Sequence, residues 1–232
     1  MGAEVCRSVE RDDELKLVAR IDRADRLELL VESGAQVAAE FTTPASVKDN
    51  VRFCVERGVH VVVGTTGLTA DDLAEIEGWL EDGGANVFVA PNFALGAVLM
   101  MHFCAQAARH FLVAEIVERH HERKLDAPSG TALRTAELMS AARGREWGES
   151  AGATRSQPAS RGEDAGGIRI HSVRAPGYVA HQEVVFGGAG ETLTIRHDSV
   201  DRSCFMPGVI LALKRVSEHP GLTVGLEQIL GL

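Results

Sequence analysis

Apolar residues recur along the first half of this chain with two alternating periods. Leu15 to Ile21 (LKLVARI) alternates as a half-buried strand does, and residues 37 to 43 (VAAEFTT) read as a second short strand ended by Pro44. Val59 to Val63 (VHVVV) and Asn86 to Ala90 (NVFVA) are near-continuous apolar runs, the mark of parallel strands covered on both faces. Between these runs the spacing lengthens to that of helices. Met1 to Glu10 reads as a helix fragment, Ala45 to Gly58 as a helix closed by glycine, and Ala70 to Leu80 as a third. Strand and helix alternating from residue 15 to 95 predict a right-handed, doubly wound α/β sheet.

The second half changes character. Gly96 to Phe111 is a long, mostly apolar helix, Ala114 to Arg119 (AEIVER) a short strand, and Ala132 to Arg143 a helix. Residues 144 to 167 are rich in Gly, Ser, Ala and Arg with little periodicity, which predicts a mobile surface loop or lid. Ile168 to Arg174, Ala180 to Phe186 and Thr192 to His197 follow as strands, the last two joined as a hairpin through Gly187 to Gly190. With Ala114 to Arg119 they make a mixed or antiparallel sheet of about four strands, so the second domain is α+β. A last helix carries Phe205, Val209, Leu213 and Val216 along one stripe. No repeat is apparent.

Composition narrows the partners. With 232 residues, 45% of them hydrophobic, the chain can bury one or two cores. Its net charge of −9 and the absence of a long basic run argue against nucleic acid or an anionic membrane as partner. Cys6, Cys54, Cys104 and Cys204 are scattered without a C-x-x-C pair, so neither a disulfide framework nor a zinc site is expected. With no basic-then-apolar leader and no apolar run of membrane-spanning length, a cytoplasmic protein is expected.

The densest chemistry lies in Arg119 to Ala132, RHHERKLDAPSGTA. His120 and His121 stand where a strand gives way to a loop, a common station for active-site side chains. Ser129, Gly130 and Thr131 open a helix, whose free N–H groups and positive dipole end suit a carboxylate or phosphate. Lys124 adds a full charge. Ser129 also reads as a plain helix N-cap, and the His pair as a solvated strand end. Adjacent histidines on an extended chain point to opposite faces, so a shared metal is not expected, and Ser129 lacks the Gly-x-Ser-x-Gly elbow of a serine hydrolase. In the first half, Gly64-Thr65-Thr66-Gly67 and Ala90-Pro91-Asn92-Phe93 lie at the carboxyl ends of strands, where such sheets bind nucleotides. Asp22 stands where an acid accepts hydrogen bonds from an adenine ribose, and reads equally well as a solvated turn residue.

The stretch EIVERHHERKLDAPSGTA resembles the signature of the 4-hydroxy-tetrahydrodipicolinate (dihydrodipicolinate) reductases, roughly E-x-H-H-x-x-K-x-D-A-P-S-G-T-A, and the likeness extends over nearly the whole chain. The resemblance implies a Rossmann-like dinucleotide domain at 1–94 plus 204–232 and a substrate-binding and oligomerisation domain at 95–203. It implies reduction of 4-hydroxy-tetrahydrodipicolinate with NADH or NADPH in diaminopimelate and lysine synthesis. His120 is then the general acid and Lys124 the second proton donor, His121 holds the dicarboxylate, and Ser129, Gly130 and Thr131 clamp one ring carboxylate. Gly64, Thr65, Thr66, Ala90, Pro91, Asn92 and Phe93 line the nicotinamide, and Asp22 meets the ribose. A homotetramer and domain closure on binding are also implied. One departure is plain: the leading strand and most of the glycine loop under the pyrophosphate are missing, and Gly2 occupies the loop's last glycine position. Two rivals follow: a shortened homologue that is poorly active or acts as a binding or assembly protein, and another two-domain nicotinamide oxidoreductase, such as an amino-acid dehydrogenase.

Overall fold

The computed structural model describes residues 1–80, 84–148 and 159–232. In chain order its elements are α1 (Gly2–Val9), α2 (Glu28–Glu32), β1 (Val37–Glu40), α3 (Val47–Val55), β2 (His60–Val63), α4 (Ala70–Trp79), β3 (Val87–Val89), α5 (Leu95–Ala107), β4 (Val113–His120), α6 (Gly130–Arg143), β5 (Glu163–Ala165), β6 (Ile168–Arg174), β7 (Ala180–Gly188), β8 (Glu191–Ser199), α7 (Met206–Arg215), β9 (Leu222–Val224) and α8 (Glu227–Leu230). They form two compact units, Met1–Leu95 with Ser203–Leu232, and Gly96–Arg202.

The first unit carries a parallel sheet in the order β1-β2-β3-β9. Val61, Val62, Val63, Val87 and Phe88 are fully buried, which explains why their strands read as unbroken apolar runs. Val47, Val51 and Cys54 of α3 and Ile76 of α4 close the core around this sheet. At about 1.5–3 kcal/mol for each buried Val or Ile, this packing supplies most of what holds the unit together. Helix α4 starts where Thr69 and Asp72 satisfy each other's backbone N–H groups in a capping box. The turn after β3 is held from behind: a Cβ on Gly208 of α7 would fall 2.1 Å from the Phe93 carbonyl oxygen, so only glycine lets helix and turn approach this closely.

Two expectations need correction here. Leu15 to Ile21 is not a sheet strand, although Leu15, Leu17, Ala19 and Ile21 are half-buried and Lys16, Val18 and Arg20 exposed, as the alternation required. Alternation decides which side chains turn inward, whereas a strand exists only through a hydrogen-bonded neighbour, and among the described residues the one strand partner of β1 is β2. The second strand also stops at Glu40 and does not reach Thr43.

The second unit holds a mixed sheet of five strands where about four were expected, in the order β5-β6-β4-β7-β8. β4 runs parallel to β6 and every other pair is antiparallel. The extra strand, β5, lies in the stretch expected to be loop. Gly166 and Gly167, with φ of 66° and 89°, make the tight turn from β5 to β6, so residues that looked like loop composition are a hairpin turn. Residues 149–158 of the expected loop or lid lie outside the described residues. Ile116, Ile168, Ile170, Val184 and Phe186 form the buried face of the sheet, and α6 is tied to β7 by Gln182 Nε2 donating to Thr135 Oγ1 at 2.7 Å. No helix among the described residues is long and apolar enough to cross a membrane.

Candidate active site

Strand β4 delivers the chemistry of the second unit. Its alternation turns Ala114, Ile116 and Glu118 into the core, and it ends on the same face with His120. Glu118 is 0% exposed. Its carboxylate accepts from His120 Nδ1 at 2.6 Å, from the Ser129 backbone N–H at 3.2 Å, and from Arg174 Nη1 and Nη2 at 2.8 and 2.7 Å. Arg174 can reach because β4 and β6 run parallel with His120 and Arg174 in register. The same Nη2 donates to the Asp126 carbonyl at 2.7 Å, pinning the loop between β4 and α6 to the end of β6.

Burial by itself pushes the Glu118 carboxyl up, but hydrogen bonds from His120, Arg174 and Ser172 outweigh it and hold the group at about 2, below its ordinary 4.5. An ionised carboxylate can only accept, so the proton between His120 and Glu118 resides on Nδ1. Nε2 is the nitrogen left for a ligand.

Ser129 is the N-cap of α6, its Oγ accepting from the Ala132 N–H at 3.2 Å. The plain capping role is thus present, and the Ser129 N–H is already given to Glu118. Gly130 is exposed, with nothing within 4 Å of a Cβ built on it, and Thr131 is part-exposed, so the positive end of the helix is open at these two residues. Lys124 Nζ donates to Asp126 Oδ2 at 2.8 Å, the main reason the Asp126 carboxyl lies below its usual value. His120, Ser129 and, through Asp126, Lys124 are therefore linked to the buried Glu118 and its half-buried partner Arg174. His121 stands apart from that network. It lines a cleft of about 430 Å³ with Arg123, Tyr178, Val179, Asp201 and Arg202, and its Nδ1 is buried without a partner among the described residues.

Arg174 was missed from the sequence, where it appears only as the last residue of an apolar strand. Glu118 was visible as a neighbour of His120. The signal for Arg174, a charge ending the strand beside β4, depends on a pairing that sequence periodicity does not disclose.

In the first unit, β2 runs into Gly64, Thr65 and Thr66, and adjacent β3 into Ala90, Pro91, Asn92 and Phe93. Thr65 is buried, its hydroxyl donating to Glu40 Oε2 at 2.5 Å and accepting from the Thr42 N–H at 2.7 Å. Asn92 Oδ1 accepts from the Ala94 N–H at 2.9 Å, and the Phe93 ring lies 5.7 Å from that of Phe41. Thr66 and Pro91 are exposed. Asp22 is exposed and starts a turn, with its carbonyl accepting from the Asp25 N–H at 2.9 Å. Gly2 opens α1. A cleft of about 480 Å³ between α4 and β9 includes none of these residues. Among the described residues, no group of three or more His, Cys, Asp or Glu side chains is placed to hold a metal ion.

Two family models match the chain, dihydrodipicolinate reductase N-terminus over residues 1–93 and dihydrodipicolinate reductase C-terminus over residues 96–230. The 4-hydroxy-tetrahydrodipicolinate reductase of Corynebacterium aurimucosum is 53% identical over 237 residues, which span 100% of this chain and 95% of that protein. That of Streptomyces griseus is 51% identical, over 100% of this chain and 94% of that protein. Among solved structures, dipicolinate-bound dihydrodipicolinate reductase from Paenisporosarcina sp. TG-14 superposes with a TM-score of 0.86 at 37% identity, covering 98% of this chain and 94% of that one.

Proposed function

The chain belongs to the dihydrodipicolinate reductase family, and from that premise we propose how its residues carry out the NAD(P)H-dependent reduction of 4-hydroxy-tetrahydrodipicolinate to tetrahydrodipicolinate, a step of diaminopimelate and lysine synthesis. The second unit grips the dicarboxylate ring and handles its protons. One ring carboxylate is clamped at the open end of α6 by Ser129, Gly130 and Thr131. His121 holds the substrate, His120 in its doubly protonated form gives the proton on Nε2 and keeps the one on Nδ1 that Glu118 holds, and Lys124 is the second donor. The observation that carries this reading is the convergence of His120 Nδ1 and the Ser129 N–H on Glu118, which sets an imidazole with a free Nε2 beside a helix N-terminus.

The first unit holds the nicotinamide cofactor, NADH or NADPH. Gly64, Thr65 and Thr66 with Ala90, Pro91, Asn92 and Phe93 line the nicotinamide, Asp22 meets the adenine ribose, and Gly2 stands toward the pyrophosphate. Support comes from β2 and β3, neighbouring parallel strands whose following loops carry exposed residues, Thr66 and Pro91, at the edge where such sheets take dinucleotides. Bound there, the nicotinamide supplies the hydride. The reading extends to a cytoplasmic homotetramer assembled through the second unit's sheet. Its support is four free cysteines and an edge strand, β8, whose residues Glu191 to Thr194 are exposed.

The test is a spectrophotometric assay of the purified protein with freshly generated 4-hydroxy-tetrahydrodipicolinate. Loss of NADH or NADPH absorbance that requires substrate and protein together is expected. Tight cofactor binding with no substrate-dependent oxidation of either nucleotide would refute the activity.

A further inference from the structure

We infer that Glu118 and Arg174 are positioning residues for the proton transfer given above to His120: the buried carboxylate fixes the imidazole with its proton on Nδ1, and the guanidinium fixes the carboxylate. The inference rests on that reading of His120 and extends it to a residue on another strand.

The donors around Glu118 show why. Oε1 accepts from the Ser129 N–H and Arg174 Nη2, and Oε2 from His120 Nδ1 and Arg174 Nη1. A backbone amide and a guanidinium are donors under all conditions, whereas an imidazole nitrogen can donate or accept. Of these nitrogen donors, His120 is thus the one whose role the carboxylate dictates; the Ser172 hydroxyl, also bonded to Glu118, can turn either way. Arg174 is held in turn by the Asp126 carbonyl, so its fork cannot rotate away without releasing the loop that leads to α6. Its Nε is buried without a partner among the described residues, so the guanidinium's hydrogen bonds lie with Glu118 and two backbone carbonyls, those of Val173 and Asp126.

Replacing Glu118 by glutamine keeps the shape and reverses the instruction. The new NH₂ must face one pair of donors, each containing an arginine nitrogen; on the His120 side the imidazole can yield, by moving the ring proton to Nε2 so that Nδ1 accepts, and Arg174 Nη1 keeps the Val173 carbonyl. The ring is then held as a neutral imidazole, a far weaker proton donor than imidazolium. In a catalytic triad, the matching exchange of an orienting carboxylate for an amide costs about 10⁴ in kcat through the wrong tautomer.

The experiment is a long-range ¹H–¹⁵N correlation of histidine-labelled protein, with the His120 signals identified by their loss in His120→Gln. In the wild-type protein, neutral His120 should carry its proton on Nδ1. In Glu118→Gln it should carry it on Nε2, with kcat lowered by about 10²-fold or more and KM for NADH within about twofold. Arg174→Lys, which keeps the charge and loses the fork, should retain the Nδ1–H tautomer and fall between the two in turnover. An Nε2–H tautomer in the wild-type protein would overturn the inference without any variant having to fold, and so would wild-type turnover in Glu118→Gln. If His120→Gln itself kept full turnover, the reading of His120 would fall instead; an inactive His120→Gln beside a fully active Glu118→Gln would sink the positioning role alone.

Discussion

His120→Ala should lower kcat by about 10²–10⁴, the usual worth of a placed general acid, and leave the Kd for NADH nearly unchanged. The separation of the two quantities carries the information. His120 ends β4 in the second unit, while the stretches expected to hold the cofactor, Gly64 to Thr66 and Ala90 to Phe93, belong to the first. Removing the imidazole deletes a proton donor and the partner of one Glu118 oxygen, but Arg174 and the Ser129 amide still satisfy that carboxylate, so the fold survives. Steady-state turnover measured beside a fluorescence titration with NADH checks it. Parallel loss of turnover and cofactor affinity would contradict the role given to His120.

Arg174→Met should cost about 3 kcal/mol of stability at neutral pH, the low end of the range for removing one partner of a buried ion pair, because Arg174 is half-buried and Glu118 keeps its His120 and Ser129 donors. Methionine fills much of the arginine stem, so the loss reports the abandoned Glu118 charge more than a cavity. The pH dependence has a definite sign. Glu118 is held at about 2 in the folded chain against an ordinary 4.5, so its stabilising contribution is complete above about 4.5 and is lost as the pH falls toward 2. The stability gap between wild type and Arg174→Met is therefore largest at neutral pH and narrows as the pH drops below about 4.5. Urea unfolding at a series of pH values measures it, and a gap that stays constant through that window would show that Arg174 acts by packing.

Much of this arrangement can be read in the chain because it is local. The apolar runs at Val59 to Val63 and Asn86 to Ala90 report strands buried on both faces, and β2 and β3 are found there. Ser129 before a helical stripe reports the start of α6, and AEIVER reports β4 with His120 at the strand end. What could not be read depends on pairing between distant segments. Leu15 to Ile21 has a strand's alternation and no ladder, Glu163 to Ala165 pairs because two glycines turn it back on β6, and Arg174 meets Glu118 only through the parallel register of β4 and β6. Period fixes which face a side chain takes, and register between strands is set by the whole sheet.

The most direct measurement follows backbone amide and histidine ring resonances while labelled protein is titrated with dipicolinate, the ligand carried by the Paenisporosarcina relative. The amides of Gly130 and Thr131 and the ring of His120 are expected to shift together on one saturation curve, because the open end of α6 and the free Nε2 serve a single ring dicarboxylate. Shifts confined to the cleft lined by His121, Arg123, Tyr178 and Arg202, with Gly130, Thr131 and His120 unmoved, would contradict it.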